Sequence, residues 1–247
     1  MRLSFVVPAH NEQALIVPTL QAIHTAGTSV VGAGNYEIIV ADDSSTDRTG
    51  ELAAQNGARV IRVEKRQISA TRNAGARIAL GDILIFVDAD TLVNAHVVSN
   101  ALSAIDSGAL GGGARIAFDG WTPLSARIVL KVLLLLFRVL QLTGGCFLVV
   151  RREALEAAGW WDETVYASEE VELANAIKRV GKSRRIPWRR RFVIVDGSVV
   201  TSGRKLRAYS ISELLLASLR IIMQGRAGVE KREGLEIWYE RRDDVAP

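Results

Sequence analysis

The sequence predicts an α/β fold: a mixed, mostly parallel sheet flanked by helices. Three observations predict it. Short apolar runs alternate with helical patterns through the first 120 residues. The runs are short and each is followed by a helical pattern, which implies βαβ units and a sheet covered on both faces. Acidic and polar residues stand directly after the runs, where open α/β sheets bind their ligands.

The elements follow in order. Residues 3–8 (LSFVVP) read as a buried strand, followed by a helical pattern over about 12–26. Residues 36–41 are a second strand. A helix is expected over 47–55, with Ser45 or Thr46 near its N-cap and Gly57 just past its end. Residues 59–63 form a third strand, 69–80 a helix closed by Gly81, and 82–87 a fourth strand. A strand is expected from Gly111 to Phe118. After Gly120 the rhythm changes. Residues 127–142 read as an apolar helix broken by Gly144 and Gly145, and 146–150 as a strand. A short helix over 152–158 stops at Gly159, and a helix over 169–180, capped by Ser168, stops at Gly181. Short strands are expected over 191–195 and 198–201, and a helix over 210–223. These elements give one domain over 1–224, in two parts of about 1–120 and about 121–224. A charged tail, mobile at its end, is expected over 225–247.

Composition narrows the function classes. Hydrophobic residues make up 49% and charged residues 23% of 247, which excludes a disordered chain. The single cysteine, Cys146, excludes an internal disulfide and a thiolate metal cage, and fits a reducing, cytoplasmic setting. His10, His24 and His96 lack zinc-site spacing, so oxygen ligands are expected for any metal. No signal peptide and no membrane span is expected: Pro8, His10, Asn11 and Glu12 interrupt the first apolar run, and the 127–142 segment is short and carries Lys131 and Arg138. Residues 1–146 carry 12 basic and 12 acidic side chains, so the net charge of +4 resides in the second part, which favours an anionic partner.

Four clusters carry chemistry. Asp88-Ala89-Asp90 follows the fourth strand, where two carboxylates can converge on one hard cation such as Mg²⁺. Asp42-Asp43-Ser44-Ser45-Thr46-Asp47 follows the second. It reads as a capped turn, with a carboxylate to spare for a base or ribose hydroxyl. Arg72-Asn73 opens a helix, as a solvated arginine or as a contact to a phosphate or acid pair. Glu169-Glu170 begins another, as partners of the helix dipole or as a general base.

Together these pieces resemble the inverting glycosyltransferases of family 2, with the GT-A fold. The likeness rests on residues 5–12 (FVVPAHNE), 41–49 (ADDSSTDRT), 86–90 (FVDAD), 144–152 (GGCFLVVRR), 159–163 (GWWDE) and 168–173 (SEEVEL). It implies transfer of a sugar from a nucleoside-diphosphate sugar, UDP- or GDP-linked, to an acceptor hydroxyl. It also implies donor contacts from Pro8, His10, Glu12, Asp42, Asp43, Arg72, Asp88 and Ala89. Asp90, helped by Asp88, would hold Mg²⁺ or Mn²⁺ on the donor diphosphate. Glu170, or its neighbour Glu169, would deprotonate the acceptor. Two departures stand out. The base is Glu where the family more often has Asp, and no histidine follows His96, where many members place one near the metal. Arg204 and Lys205 occupy that region, and one or the other is expected at the diphosphate.

Polar residues of 127–142 and of 210–224 each fall in a narrow stripe, so both helices have wide apolar faces. Mutual packing, a homodimer and a peripheral membrane contact each satisfy them. Residues 178–191 hold eight basic side chains and no acid, which suits solvent, lipid headgroups or a phosphorylated acceptor. Nucleic acid is not expected, since no nucleic-acid module surrounds the run. The rival readings are a sugar nucleotidyltransferase and a catalytically degenerate membrane-associated nucleotide-sugar-binding module. The first lacks its usual glycine-rich loop after the first strand.

Overall fold

The computed structural model describes residues 3–120 and 144–208, together with residues 213, 228–230 and 235. The expected helices over 127–142 and 210–223 lie outside these residues, Glu213 apart. Four parallel strands form one half of the sheet: β1 (Leu3–Ala9), β2 (Tyr36–Asp43), β3 (Arg59–Val63) and β4 (Ile83–Val87). The second half contains β5 (Thr91–Leu92), β6 (Gly111–Phe118), β7 (Phe147–Arg151) and β8 (Val193–Thr201). The full order is β3-β2-β1-β4-β7-β6-β8-β5, with β7 antiparallel to both its neighbours, β6 parallel to β8, and β5 antiparallel to β8.

Strand alternation sorts the core into two layers. Phe5, Val7, Ile38 and Val40 face α1 (Ile16–Val31), α2 (Thr49–Gln55) and α4 (Ala95–Asp106). Val6, Ile39, Leu84 and Phe86 face α3 (Ile68–Ile78), α5 (Arg152–Ala158) and α6 (Glu169–Ser183). Two short helices complete the described chain, α7 (Trp188–Arg191) and α8 (Arg204–Ala208). Among the described residues no helix is long and apolar enough to cross a membrane.

Several elements differ from expectation, for local reasons. α1 runs past Ala26, because Gly27 lies against the Tyr36 ring, 3.0 Å from where a Cβ would stand, and the helix stops at Gly32, with φ of 84°. α6 likewise runs through Gly181, where the Arg191 side chain fills the space a Cβ would take. The two short strands expected after residue 190 are one strand, β8, carrying Gly197 at φ of 99°. The tail is packed at its described residues: Val229 and Leu235 are buried against Val165 and Ala167, and the Tyr166 N–H donates to the Val229 carbonyl (2.6 Å). α4 had no counterpart in the expectation. Its signal is Asn94, whose side chain caps the helix by accepting from the Val97 N–H, followed by buried Val97, Val98, Ala101, Leu102 and Ile105.

Candidate active site

The carboxyl ends of β1, β2 and β4 bring the predicted residues together from both sides of the switch in strand order. The loop after β1 interlocks with the loop after β2. The Asn11 N–H donates to Ser45 Oγ (2.9 Å), the Glu12 N–H to Thr49 Oγ1 (2.7 Å), and the Thr46 N–H to Asn11 Oδ1 (2.8 Å). Pro8 lies buried in β1, beyond the last residue paired with β4. His10 Nδ1 donates to the Asp43 carbonyl (2.8 Å), and its other nitrogen accepts from Arg66.

The adjacent acids of β2 part company. Asp42 points to the α2 layer, where its Oδ1 accepts from the Ser45 N–H (3.3 Å) and Gly50 lies too close for a Cβ. It borders an open depression lined also by Asp47, Arg48, Glu51 and Arg62, on the far side of the sheet from α3 and α6. Asp42 therefore closes the turn into α2, on the opposite side of the sheet from the Arg72 cluster. Its neighbour Asp43 points to the α3 layer. Its Oδ1 accepts from the N–H groups of Lys65 and Arg66 (both 2.9 Å), and its Oδ2 from the Gln67 N–H (3.1 Å) and Thr71 Oγ1 (2.6 Å). Burial raises the Asp43 pKa, but these donors, Thr71 foremost, outweigh it and hold the carboxyl below its ordinary value. With a longer contact from Ser44 Oγ (3.4 Å), these donors fill the capacity of one carboxylate, so Asp43 organises the 64–67 loop.

Arg72 is the hub of the second cluster. It is 1% exposed and lies 4.4 Å over the Trp161 ring. Its Nη1 donates to Glu169 Oε1 (2.8 Å), and its Nη2 to Asp88 Oδ1 (2.9 Å) and the Gly145 carbonyl (3.1 Å). A Cβ on Gly145 would stand 2.9 Å from Nη2, which is why the chain is glycine there. Burial works against the guanidinium charge, and the carboxylates of Asp88 and Glu169 overcome it, so its pKa moves up. Asn73, one residue on, pins the loop before α6, donating to the Trp161 carbonyl (2.9 Å) and Glu163 Oε1 (2.7 Å) and accepting from the Trp161 N–H (3.0 Å).

Arg204 forms the third cluster. One nitrogen, Nη2, donates to Glu12 Oε1 and to Asp90 Oδ2, both at 2.9 Å. Thr201 Oγ1 donates to Asp90 Oδ1 (3.2 Å), and the Ser202 N–H to the Asp90 carbonyl (3.2 Å). Between the two acids, Ala89 is buried and its carbonyl accepts from Thr19 Oγ1 (2.9 Å). The Lys205 side chain lies outside the described residues.

The two predicted bases have different surroundings. Glu169 is 8% exposed and tied to Arg72. Glu170 is half-buried and forms no ion pair with a described residue. Burial, then the charge of Glu169, pushes its pKa up from 4.5 to about 8, with Asp88 adding to the rise. Ser168 does not cap α6 through its side chain. Its φ of 61° lies outside the extended region from which a cap hydroxyl reaches the first helical N–H groups.

Asp88 and Asp90 fit a hard divalent cation. Burial raises the Asp88 pKa, and the neighbouring Asp90 charge adds to it against the pull of Arg72, so the pair gains from an added positive charge. Among the described residues no group of three His, Cys, Asp or Glu side chains is placed to cage a metal ion, so further ligands for a cation here would come from a substrate, as Mg²⁺ sites on phosphates use.

Non-glycine residues with positive φ gather here. Asn11, Ser44, Arg66, Trp160 and Ser168 all have φ between 49° and 69°, and all lie in the loops that carry the site. Such conformations persist where the surroundings over-determine them, and they cluster at functional sites. Gln67, Thr71 and Thr201 also contact these residues, and sequence reasoning did not single them out; Trp161 it read only as part of the 159–163 motif.

Similarity to known proteins agrees with this geometry. The chain is 25% identical over 203 residues to a probable glycosyltransferase of Bacillus subtilis, YdaM, covering 73% of this chain and 47% of that protein. It is 29% identical over 113 residues to the dolichol-phosphate mannosyltransferase of Pyrococcus furiosus, covering 44% and 31%. The chain thus spans less than half the length of these two relatives. In fold it is similar to the mannosyltransferase of Pyrobaculum calidifontis solved with GDP-Man and Mn²⁺. The TM-score is 0.64 at 19% identity, over 100% of this chain and 66% of that one. Residues 4–158, more than half of the chain, match the family model for glycosyl transferase family 2, and the chain belongs to that family.

Proposed function

We propose that this chain transfers a sugar from a nucleoside-diphosphate sugar to an acceptor hydroxyl with inversion at the sugar carbon. The observation that carries the reading is the convergence of Glu12, Asp88, Asp90 and Glu170 on one strand-end cleft, in a family 2 chain. The Pyrobaculum relative is described with GDP-Man and Mn²⁺, which supports a nucleotide-sugar donor and a divalent metal for this chain.

The residues divide the work. The interlocked loops after β1 and β2, braced by Asp43, present the nucleotide surface, with His10 and Arg66 at its edge. Asp90 and Asp88 would hold Mg²⁺ or Mn²⁺, which supplies charge neutralisation for the departing diphosphate. Arg204 adds a cation on the same side. Arg72 fixes the Asp88 and Glu169 carboxylates, so that Glu169 orients and Glu170 receives the acceptor proton. A base whose pKa lies near working pH suits proton abstraction from a hydroxyl. Attack by that oxygen on the sugar carbon then breaks the bond to the diphosphate.

Glu170→Gln should keep nucleotide-sugar binding by calorimetry and lose turnover by at least about a hundredfold. Asp90→Ala should lose both turnover and Mn²⁺-dependent binding. Release of pyrophosphate in place of nucleoside diphosphate, or normal turnover in the Glu170→Gln protein, would reject the reading.

A further inference from the structure

The two arginines of the cleft are built differently. The Arg72 side chain is 2% exposed and enclosed by Trp161, Glu169, Asp88 and the Gly145 carbonyl. The Arg204 side chain is 25% exposed, and its partners are also open to solvent, Asp90 at 20% and Glu12 at 15%. Arg72 is a fixed part of the wall, and Arg204 is a cation that solvent and ligands can reach.

Arg204 is also placed on Asp90 by the backbone. The Ser202 N–H donates to the Asp90 carbonyl, Thr201 Oγ1 donates to the Asp90 carboxylate, and α8 begins directly afterwards with Arg204. The Gly203 N–H is held by Asp119 Oδ1 (2.6 Å), which fixes the start of that helix. The guanidinium thus bridges Glu12 from the β1 loop and Asp90 from the β4 end through a single nitrogen. A divalent cation at Asp90 Oδ2 would stand beside this nitrogen, so two positive charges would compete for one carboxylate oxygen.

We propose that Arg204 gates the metal position. In the donor-free protein its guanidinium holds Asp90 and Glu12 and keeps a divalent cation off Asp90. The diphosphate of an arriving donor, a stronger and doubly charged partner, draws the guanidinium to itself and frees the carboxylate. Metal and nucleotide then bind as a unit, and each raises the affinity for the other by the same factor. The proposal rests on the donor-site reading above.

The test is Mn²⁺ binding to the full chain, measured by calorimetry and by the electron paramagnetic resonance of free Mn²⁺. It is run without nucleotide, with saturating UDP and with saturating GDP. Four proteins are compared: native, Arg204→Gln, Arg204→Lys and Arg207→Gln. Arg207 pairs with Asp119 and does not touch Asp90, so its variant measures the through-space loss of one charge. Without nucleotide, Arg204→Gln should bind Mn²⁺ at least about fivefold more tightly than native, while Arg204→Lys and Arg207→Gln stay near native. The tightening of Mn²⁺ binding by nucleoside diphosphate should be smaller in Arg204→Gln than in native. Equal Mn²⁺ affinity of Arg204→Gln and native without nucleotide, or an equal gain in Arg207→Gln, overturns the gate. If the native protein still binds Mn²⁺ together with UDP or GDP, the donor-site reading survives that failure. If no protein binds Mn²⁺ with either nucleotide, both fall.

Discussion

Glu170→Gln should stabilise the protein at alkaline pH while disabling it. Glu170 has a folded-state pKa of about 8 against an ordinary 4.5, because burial and the charges of Glu169 and Asp88 disfavour its ionised form. As pH rises, the unfolded chain releases this proton first. Stability contributed by the raised pKa is complete below pH 4.5 and is lost as pH rises towards 8. At about 1.4 kcal/mol for each pH unit of separation, the full loss is on the order of 5 kcal/mol. Glu170 is half-buried and shares its field with two other carboxylates, so about 2 kcal/mol is the expected share. Glutamine has the same shape and no proton to lose. The assay is urea unfolding of both proteins in EDTA at pH 5, 7 and 9. The variant should match or trail native at pH 5 and exceed it by about 2 kcal/mol at pH 9. A pH-independent difference, or a less stable variant at pH 9, would refute the electrostatic account.

Two further outcomes follow from the other carboxylates. Arg72→Met should cost about 3–5 kcal/mol in urea unfolding at pH 7, because it strands Glu169 and Asp88 without their shared cation. Restored stability in the Arg72→Met, Glu169→Gln double variant would confirm that the stranded charge is the cause. Asp43→Asn should cost about 1–3 kcal/mol and weaken nucleoside-diphosphate binding, since an amide offers one oxygen to five donors. The Asp43 contribution is present above pH 3.8 and is lost as pH falls through its lower folded value, so the cost should shrink in acid, by the same unfolding assay.

The first four strands were legible as short runs rich in Val, Ile and Leu set between helical patterns: residues 59–63 are as expected, and the expected 82–87 begins one residue early. Their carboxyl ends carry Glu12, Asp43, Asp88 and Asp90, and that placement was legible from position alone. Helix ends were read less well where glycine does packing work instead of stopping the chain, as at Gly27 and Gly181. α4 was present in the sequence as an Asn94 cap and a 3–4 spacing, and went unread beside the stronger acid signal. The roles of Gln67, Thr71 and Trp161 were not legible. Each depends on a partner 24 to 98 residues away, such as Gln67 Nε2 on the Val165 carbonyl. The choice between Glu169 and Glu170 also required the Arg72 contact, which neither spacing nor charge encodes.

The divergence of Asp42 and Asp43 has a consequence for how this chain tolerates change. A strand has only two sides, and which side a residue takes depends on counting from the paired end. Deleting one residue between Tyr36 and Ala41 would exchange the two carboxylates, leaving one aspartate in the α2 turn and the other under α3, while the composition of the cleft stayed the same. The length of β2 is therefore under as tight a constraint as its chemistry. Single replacements along it are milder errors than any odd-numbered insertion or deletion, which would swap the sides that Asp42 and Asp43 take without altering one functional side chain.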